Sequence, residues 1–233
     1  MGRIQQIQSF STLDGPGSRC VVFLQGCPVG CIFCHNPDSW EQSKGTEMPV
    51  DELMRRIERF RPFLPIPGLT VSGGEPLAQF EFTMELMRQA KAEGWHVALD
   101  TSGWGPAQRF KEAVTEADLV LFSIKHPLEP TLVSQVTVAG MEEKLAVLSR
   151  TVTPVWIRYV LIPGWTDGPE AAEALKKMIA AVPSVEKVEI LPYNSLARDK
   201  WKKLGWDSPL FHDDIRTDEA KVKEFEKMLE IES

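Results

Sequence analysis

"GLTVSGGEPLAQFEFTMELMRQAKAEGWHVALDTSG", residues 68–103, places two short apolar runs on either side of an amphipathic stretch. "GLTVSG" (68–73) and "WHVALDTSG" (95–103) are nearly continuous in apolar character, which suits parallel strands buried on both faces. "FEFTMELMRQAKAEG" (80–94) has helical periodicity and stops on Gly94, a residue that accepts the left-handed turn closing a helix. Strand, helix and strand in succession read as a βαβ unit.

The alternation continues in both directions. "CVVFLQ" (20–25), "ADLVLFSIK" (117–125), "TPVWIRYVLIP" (153–163) and "VEKVEILPY" (185–193) read as further strands. "VDELMRRIERFRPFL" (50–64), opened by Pro49, reads as a helix, as do 105–117, 140–151 and 168–182. "TDEAKVKEFEKMLE" (217–230) follows as the last helix, with Thr217 as its expected N-cap. About six strand–helix units predict an α/β fold with parallel strands and outer helices. Six is short of eight, so the expectation is an open, partial (β/α)6 TIM-like barrel with its active site at the C-terminal strand ends.

The 233 residues are 43% hydrophobic and 25% charged, an ordinary globular composition. A net charge of -7 argues against non-specific nucleic-acid binding, which needs excess Lys and Arg. No apolar run is long enough to span a membrane, and "MGRIQQIQSF" lacks a signal-peptide core. The expectation is a soluble, monomeric, cytoplasmic protein, where clustered cysteines stay reduced and serve metal or redox chemistry.

Such a cluster follows the first strand. "GCPVGCIFCHN" (26–36) carries Cys27, Cys31 and Cys34 on a loop marked by Gly and Pro. A [4Fe–4S] cube usually takes four thiolates; three would leave one iron open to an exogenous ligand. The bland reading is three packed thiols, since free Cys behaves as a small hydrophobe. Zinc would need a fourth ligand, for which only the adjacent His35 offers itself. Cys20 lies inside a strand and reads as core.

C-x₃-C-x₂-C followed by a Gly-Gly-Glu-Pro strand end resembles the radical S-adenosylmethionine (SAM) superfamily. The likeness sharpens with "TLDGPG" (12–17), "QGCPVGCIFCHNPDSW" (25–40), "TVSGGEPL" (70–77), "LDTSG" (99–103), "WIRYVLIPGWTD" (156–167) and "LPYNSLARDKW" (191–201). Together these resemble the glycyl-radical-enzyme activases, on the pyruvate formate-lyase branch. Residues 35–72 contain no cysteine, so the chain resembles the compact, single-cluster type.

That resemblance implies one radical SAM domain over residues 1–233, with a core of about 18–193 and a C-terminal extension of about 194–233. It implies a [4Fe–4S] cluster on Cys27, Cys31 and Cys34, with SAM chelating the open iron through its amino and carboxylate groups. Reductive cleavage of SAM would yield a 5′-deoxyadenosyl radical that abstracts hydrogen from a glycine Cα. The partner would be a glycyl radical enzyme, pyruvate formate-lyase foremost, with flavodoxin or ferredoxin as electron donor and neither nucleic acid nor membrane involved.

Gly73, Gly74 and Glu75 would serve the SAM ammonium, although by themselves they could form a simple turn. Asp100 and Thr101 would meet SAM and a nearby monovalent cation, or else cap a turn. Lys125 would meet the SAM carboxylate. Arg158 would bind a polar ligand or form a structural salt bridge. Phe33, His35 and Asn36 would line the adenosine end with Val160, Leu191 and Asn194. Asp14 would lie near the mouth where a substrate loop enters.

Two positions depart from the family pattern. Ser123 stands where Asp is common, and Asn194 where His is common. The first removes an anionic cation ligand; the second alters the adenine pocket. One rival reading is a radical SAM enzyme acting on another glycyl radical enzyme or on a small molecule. The other is a non-catalytic iron–sulfur or zinc-binding module.

Overall fold

The computed structural model describes residues 1–212 and 215–230. Asp213, Asp214 and residues 231–233, which fall in the expected C-terminal extension, lie outside the described residues.

Six strands form the parallel body: β2 (Arg19–Leu24), β4 (Gly68–Gly73), β5 (His96–Thr101), β6 (Leu119–Ile124), β7 (Val155–Leu161) and β8 (Val185–Pro192). They pair in that order, each parallel to the next. The expected strands are all present. Two more were not expected. β1 (Gly2–Ser11) pairs antiparallel with β2, and β3 (Thr46–Met48) pairs antiparallel with β1. Among the described residues the sheet runs β3-β1-β2-β4-β5-β6-β7-β8 without closing, as a partial barrel.

Helices α1 (Val50–Glu58), α2 (Phe80–Ala92), α3 (Ala107–Glu116), α4 (Val138–Leu148), α5 (Pro169–Ala180) and α7 (Glu219–Leu229) cover the outside. A short α6 (Arg198–Lys203) was not expected from periodicity. The structure shortens α1, which gives way to a 3₁₀ turn at Arg61–Phe63. Pro62 in that turn cannot supply the N–H a continuing helix needs. Asp218, not Thr217, caps α7 by accepting from the Lys221 N–H at 2.8 Å. The Thr217 hydroxyl instead donates to Leu161 O at 2.5 Å and accepts from Tyr193 N at 3.2 Å, tying the ends of β7 and β8.

Alternation along each strand sorts side chains between two layers. Outward residues such as Val22, Leu69, Leu99, Phe122 and Ile157 pack with the helices in one core. Cys20 lies there, fully buried. Inward, Ala98, Leu119 and Leu121 pack with Trp156 at the lower part of the lumen. Above them the inward face turns polar: Ser72, Asp100, Ser123, Arg158 and Glu189, where Ser123 pairs in register with Arg158 and Arg158 with Glu189. An apolar floor under a polar ceiling puts the chemistry at the strand C-termini. None of the described helices is long and apolar enough to cross a membrane.

Candidate active site

A cavity of about 520 Å³ opens at those strand ends. Its wall includes Cys27, Cys31, Cys34, Phe33, His35, Gly73, Gly74, Glu75, Asp100, Thr101, Lys125, Val160, Leu191 and Asn194. Most of the residues singled out from sequence therefore meet around one space. Leu13, Trp40, Ser72, Ser102, Ser123 and Tyr193 line it too.

The cysteine loop is pinned to the end of β4 by backbone. Gly74 N donates to Leu24 O at 2.7 Å, and Glu75 N donates to Gly26 O at 2.9 Å. The two glycines are required by this contact. A Cβ on Gly73, whose φ is +117°, would lie 2.1 Å from Leu24 N; one on Gly74 would lie 2.2 Å from Gly26 O. Both glycines permit close approach of the β4 end to the cysteine loop.

Burial pushes the Cys27 thiol up to about 12 and the Cys31 thiol to about 11. Cys34 is raised by the same cause, opposed by the Asn36 N–H, the Trp40 indole and the Lys125 charge. Metal binding would deprotonate all three. The Asn36 N–H reaches Cys34 Sγ at 3.4 Å. The Trp40 N–H faces the same sulfur but falls short of a full hydrogen bond, and Trp40 Nε1 has no other partner among the described residues. Tyr193 Oη is likewise buried without a partner. Orphaned polar atoms on cavity-lining residues fit a wall built around a group with acceptors and donors of its own.

Among the described residues no three His, Cys, Asp or Glu side chains gather tightly enough for a single metal ion. A cubane is larger and is gripped at separate corners, so spread thiols around a roomy cavity suit it better than zinc.

Glu75 is 1% exposed and its carboxylate is saturated. Oε1 accepts from the Thr101 hydroxyl at 2.5 Å and the Leu77 N–H at 3.1 Å. Oε2 accepts from the Ser102 N–H at 2.9 Å and its hydroxyl at 2.7 Å. Burial raises its pKa while these donors act the other way. Glu75 thus fastens β4 to β5 rather than holding a vacant acceptor.

Arg158 does not line the cavity. It donates to Glu189 at 2.9 Å and Asp100 at 3.2 Å, lies 3.9 Å from Asp14, and bonds Leu13 O. Burial opposes its charge, but Asp100, Glu189 and Asp14 outweigh burial and keep its pKa high. The structural salt bridge, weighed against ligand binding from sequence, is the arrangement observed. It holds Asp100, which also accepts from the Ser72 hydroxyl at 2.7 Å. It holds the 12–17 loop as well, bringing Leu13 to the cavity wall. Asp14 itself lies behind Leu13, bonded by the Ser11 hydroxyl at 2.5 Å.

Asn36 also lies off the cavity wall: its side-chain oxygen accepts from Lys200 at 2.7 Å. His35 Nε2 lies 3.1 Å from Asn194 O, linking the cysteine loop to the end of β8. The Asn194 side chain accepts from the Leu196 N–H at 3.2 Å, a local turn bond. Lys125 makes no ion pair with the described residues, and its ammonium sits 5.9 Å from the centre of the Phe33 ring. A free cation on the wall is suited to an anionic ligand. Glu189, Ser72 and Ser102 escaped the sequence reading; the signal for Glu189 was a carboxylate set between Val188 and Ile190 on an otherwise apolar strand end.

The Radical SAM superfamily model matches residues 21–177. The pyruvate formate-lyase-activating enzyme of Clostridium pasteurianum is 39% identical, covering 98% of this chain and 97% of the relative. The pyruvate formate-lyase 1-activating enzyme of Escherichia coli K12 is 37% identical over 88% of this chain and 86% of its own. Among solved structures, a radical SAM methyltransferase from Sphaerobacter thermophilus superposes with a TM-score of 0.66 at 20% identity, over 91% of this chain and 63% of that one. A domain of pyruvate-formate lyase-activating enzyme from Bacteroides vulgatus gives 0.52 at 22%, over 70% and 92%. The structural likenesses speak for the fold alone. The near-full-length identities go further. By them the chain belongs to the radical SAM superfamily, whose cofactors are a [4Fe–4S] cluster and SAM, and within it to the pyruvate formate-lyase activating enzymes.

Proposed function

We propose that this chain activates pyruvate formate-lyase by removing a hydrogen from one glycine Cα of that enzyme. The observation that carries the reading is the 39% identity to an activating enzyme over nearly the whole of both chains. The cavity ringed by three thiols supports it. When bound, the cluster and SAM supply one-electron cleavage of a sulfonium and the radical that takes the hydrogen.

The chain's own residues bind, orient and exclude water. Cys27, Cys31 and Cys34 hold the cluster. Lys125, free of any described carboxylate, meets the SAM carboxylate. Strand-end carbonyls near Gly73 and Gly74 accept from its ammonium. Glu75 keeps Thr101 and Ser102 in place beside it. Phe33, Val160 and Leu191 give the adenosine an apolar wall that keeps water from the radical. Asp14, held by Arg158, stations the 12–17 loop at the mouth.

A monovalent cation beside SAM would find Asp100, Thr101 and Ser123. Asp100 is already paired with Arg158, and Ser123 adds no charge. The dependence on potassium or sodium is therefore shallow, and Ser123→Asp steepens it. A rate titration against a bulky-cation control at fixed ionic strength measures this. The electron donor is flavodoxin or ferredoxin.

The whole reading is tested by electron paramagnetic resonance. Anaerobically reconstituted protein is mixed with reductant, SAM and pyruvate formate-lyase. A glycyl radical on the partner is the expected result. SAM cleavage that leaves no radical on that partner would point to another substrate.

A further inference from the structure

The cysteine loop has an aromatic back. Trp201 of α6 is 4% exposed and donates its indole N–H to the Cys34 carbonyl at 2.8 Å. Trp40, on the cavity wall, meets Trp201 edge-on with ring centres 5.1 Å apart. On its other side Trp40 stacks on Trp206, centres 5.2 Å apart and planes 24° from parallel. Trp206 is 38% exposed. Two stacked indoles thus run from the cavity wall beside Cys34 to solvent.

The segment leading to Trp206 is rich in basic residues. "RDKWKKLGW", residues 198–206, has four cations and one anion in a chain of net charge -7. Lys202 and Lys203 are exposed and make no ion pair with the described residues. Lys200 bonds Asn36 and lies 3.7 Å from Asp38, so part of its charge is met locally. Asp207 Oδ2 lies 3.1 Å from His212 Nε2. The activation cavity makes no use of these charges.

Resting on the reading that a carrier protein reduces this enzyme, we propose that α6 and Trp206 form its docking face. The occupant is a small, acidic one-electron carrier protein. Charge selects it: Lys202 and Lys203 attract an acidic surface and steer its approach. Trp206 supplies an aromatic anchor of the kind that dominates interface energetics. Distance selects the place. Electron tunnelling falls off exponentially with separation, and this face lies directly behind a cluster-holding cysteine. One electron leaves the carrier's reduced cofactor, which is oxidised by one equivalent. The cluster accepts it and is reduced by one. No bond or proton is exchanged at the face, and the indoles only fill the gap.

The test uses the reconstituted protein with purified flavodoxin and, in parallel, purified ferredoxin. Calorimetry measures binding of the oxidised carrier. Stopped-flow absorbance measures reduction of the cluster by the reduced carrier and by dithionite. For whichever carrier reduces the wild type, K202E/K203E is expected to weaken binding about tenfold and slow reduction in parallel. Raising salt should weaken wild-type binding more steeply than that of the variant. Dithionite should reduce K202E/K203E at the wild-type rate, with iron content unchanged. Trp206→Ala is expected to slow carrier-driven reduction further. Unchanged affinity and rate in both variants would overturn the docking face while leaving the donor reading intact. Slowing with dithionite as well would make the face structural and overturn the proposal. A wild type that neither carrier reduces would overturn the donor reading, and the docking face with it.

Discussion

Glu75, 1% exposed, accepts four hydrogen bonds. Glu75→Gln keeps the shape but turns two acceptor positions into an NH₂ facing the Ser102 donors or the Thr101 hydroxyl. A buried donor left facing a donor costs about 1–3 kcal/mol. The melting temperature should fall by roughly 2–4 °C per kcal/mol for a chain of this size. An unchanged melt would mean that Glu75 does not fasten β4 to β5. The cysteines make a second residue-level case. Replacing Cys27, Cys31 or Cys34 by Ala should abolish iron retention. Cys20→Ala should keep the iron, because Cys20 packs outward with Val22 and Leu24. Iron analysis after anaerobic reconstitution decides, and loss of iron in Cys20→Ala alone would reverse the assignment. Spacing made these three thiols legible. It could not disclose that Arg158 would be committed to Asp100 and Glu189, since both partners lie on other strands.

Between elements, the β4 end and the cysteine loop act as one piece. Gly74→Ala would drive a Cβ to 2.2 Å from the Gly26 carbonyl and 3.2 Å from Cys27 Cβ. Backbone cannot yield there without moving Cys27. The variant should therefore lose iron retention together with SAM affinity, although Gly74 is not an expected ligand of the iron. Iron content and SAM calorimetry on the same preparation check this, and a variant weak in SAM but full in iron would break the link. The parallel strands were legible because burial on both faces leaves long Val, Ile and Leu runs. β1 was not. Its Gln5, Gln6 and Gln8 are partly or fully solvent-facing, and a register shift between Ile4 and Gln6 breaks the two-residue alternation that would have marked it. α6 was hidden for a different reason: its six residues bury only Trp201 and show no periodic stripe. Trp40 stood inside a quoted motif, but its stacking on Trp206 depends on a tertiary turn that no local pattern encodes.

For the whole molecule, two histidines held neutral set a lower pH limit on stability. His126 is 6% exposed, and its Nδ1 accepts from the N–H groups of Leu128 at 3.1 Å and Glu129 at 2.9 Å. His96 Nδ1 lies 3.1 Å from Arg19 Nη2, a group that can only donate, so this nitrogen is the acceptor. Protonating either Nδ1 breaks these bonds, and at His96 it sets a second cation against a buried arginine. Burial lowers both pKa values. The Arg19 charge lowers that of His96 further; Asp118 partly offsets this, as the Trp165 backbone and Glu129 do for His126. In the unfolded chain both titrate near about 6.5. Below that the unfolded state binds protons that the folded state refuses, so stability rises with pH up to about 6.5. The contribution is present above about 6.5 and is lost as pH falls through the lowered folded values. Thermal melts of the reconstituted protein should therefore fall between pH 7.5 and pH 5.5, before most carboxylates titrate. His96→Asn/His126→Asn keeps an acceptor oxygen near each Nδ1 position and removes the titration. It should flatten the slope in that window while leaving stability at pH 7.5 nearly as it was. Equal slopes for variant and wild type would assign the acid sensitivity to other groups. A variant already unstable at pH 7.5 would show that the imidazole rings, rather than their acceptor nitrogens, carry the packing.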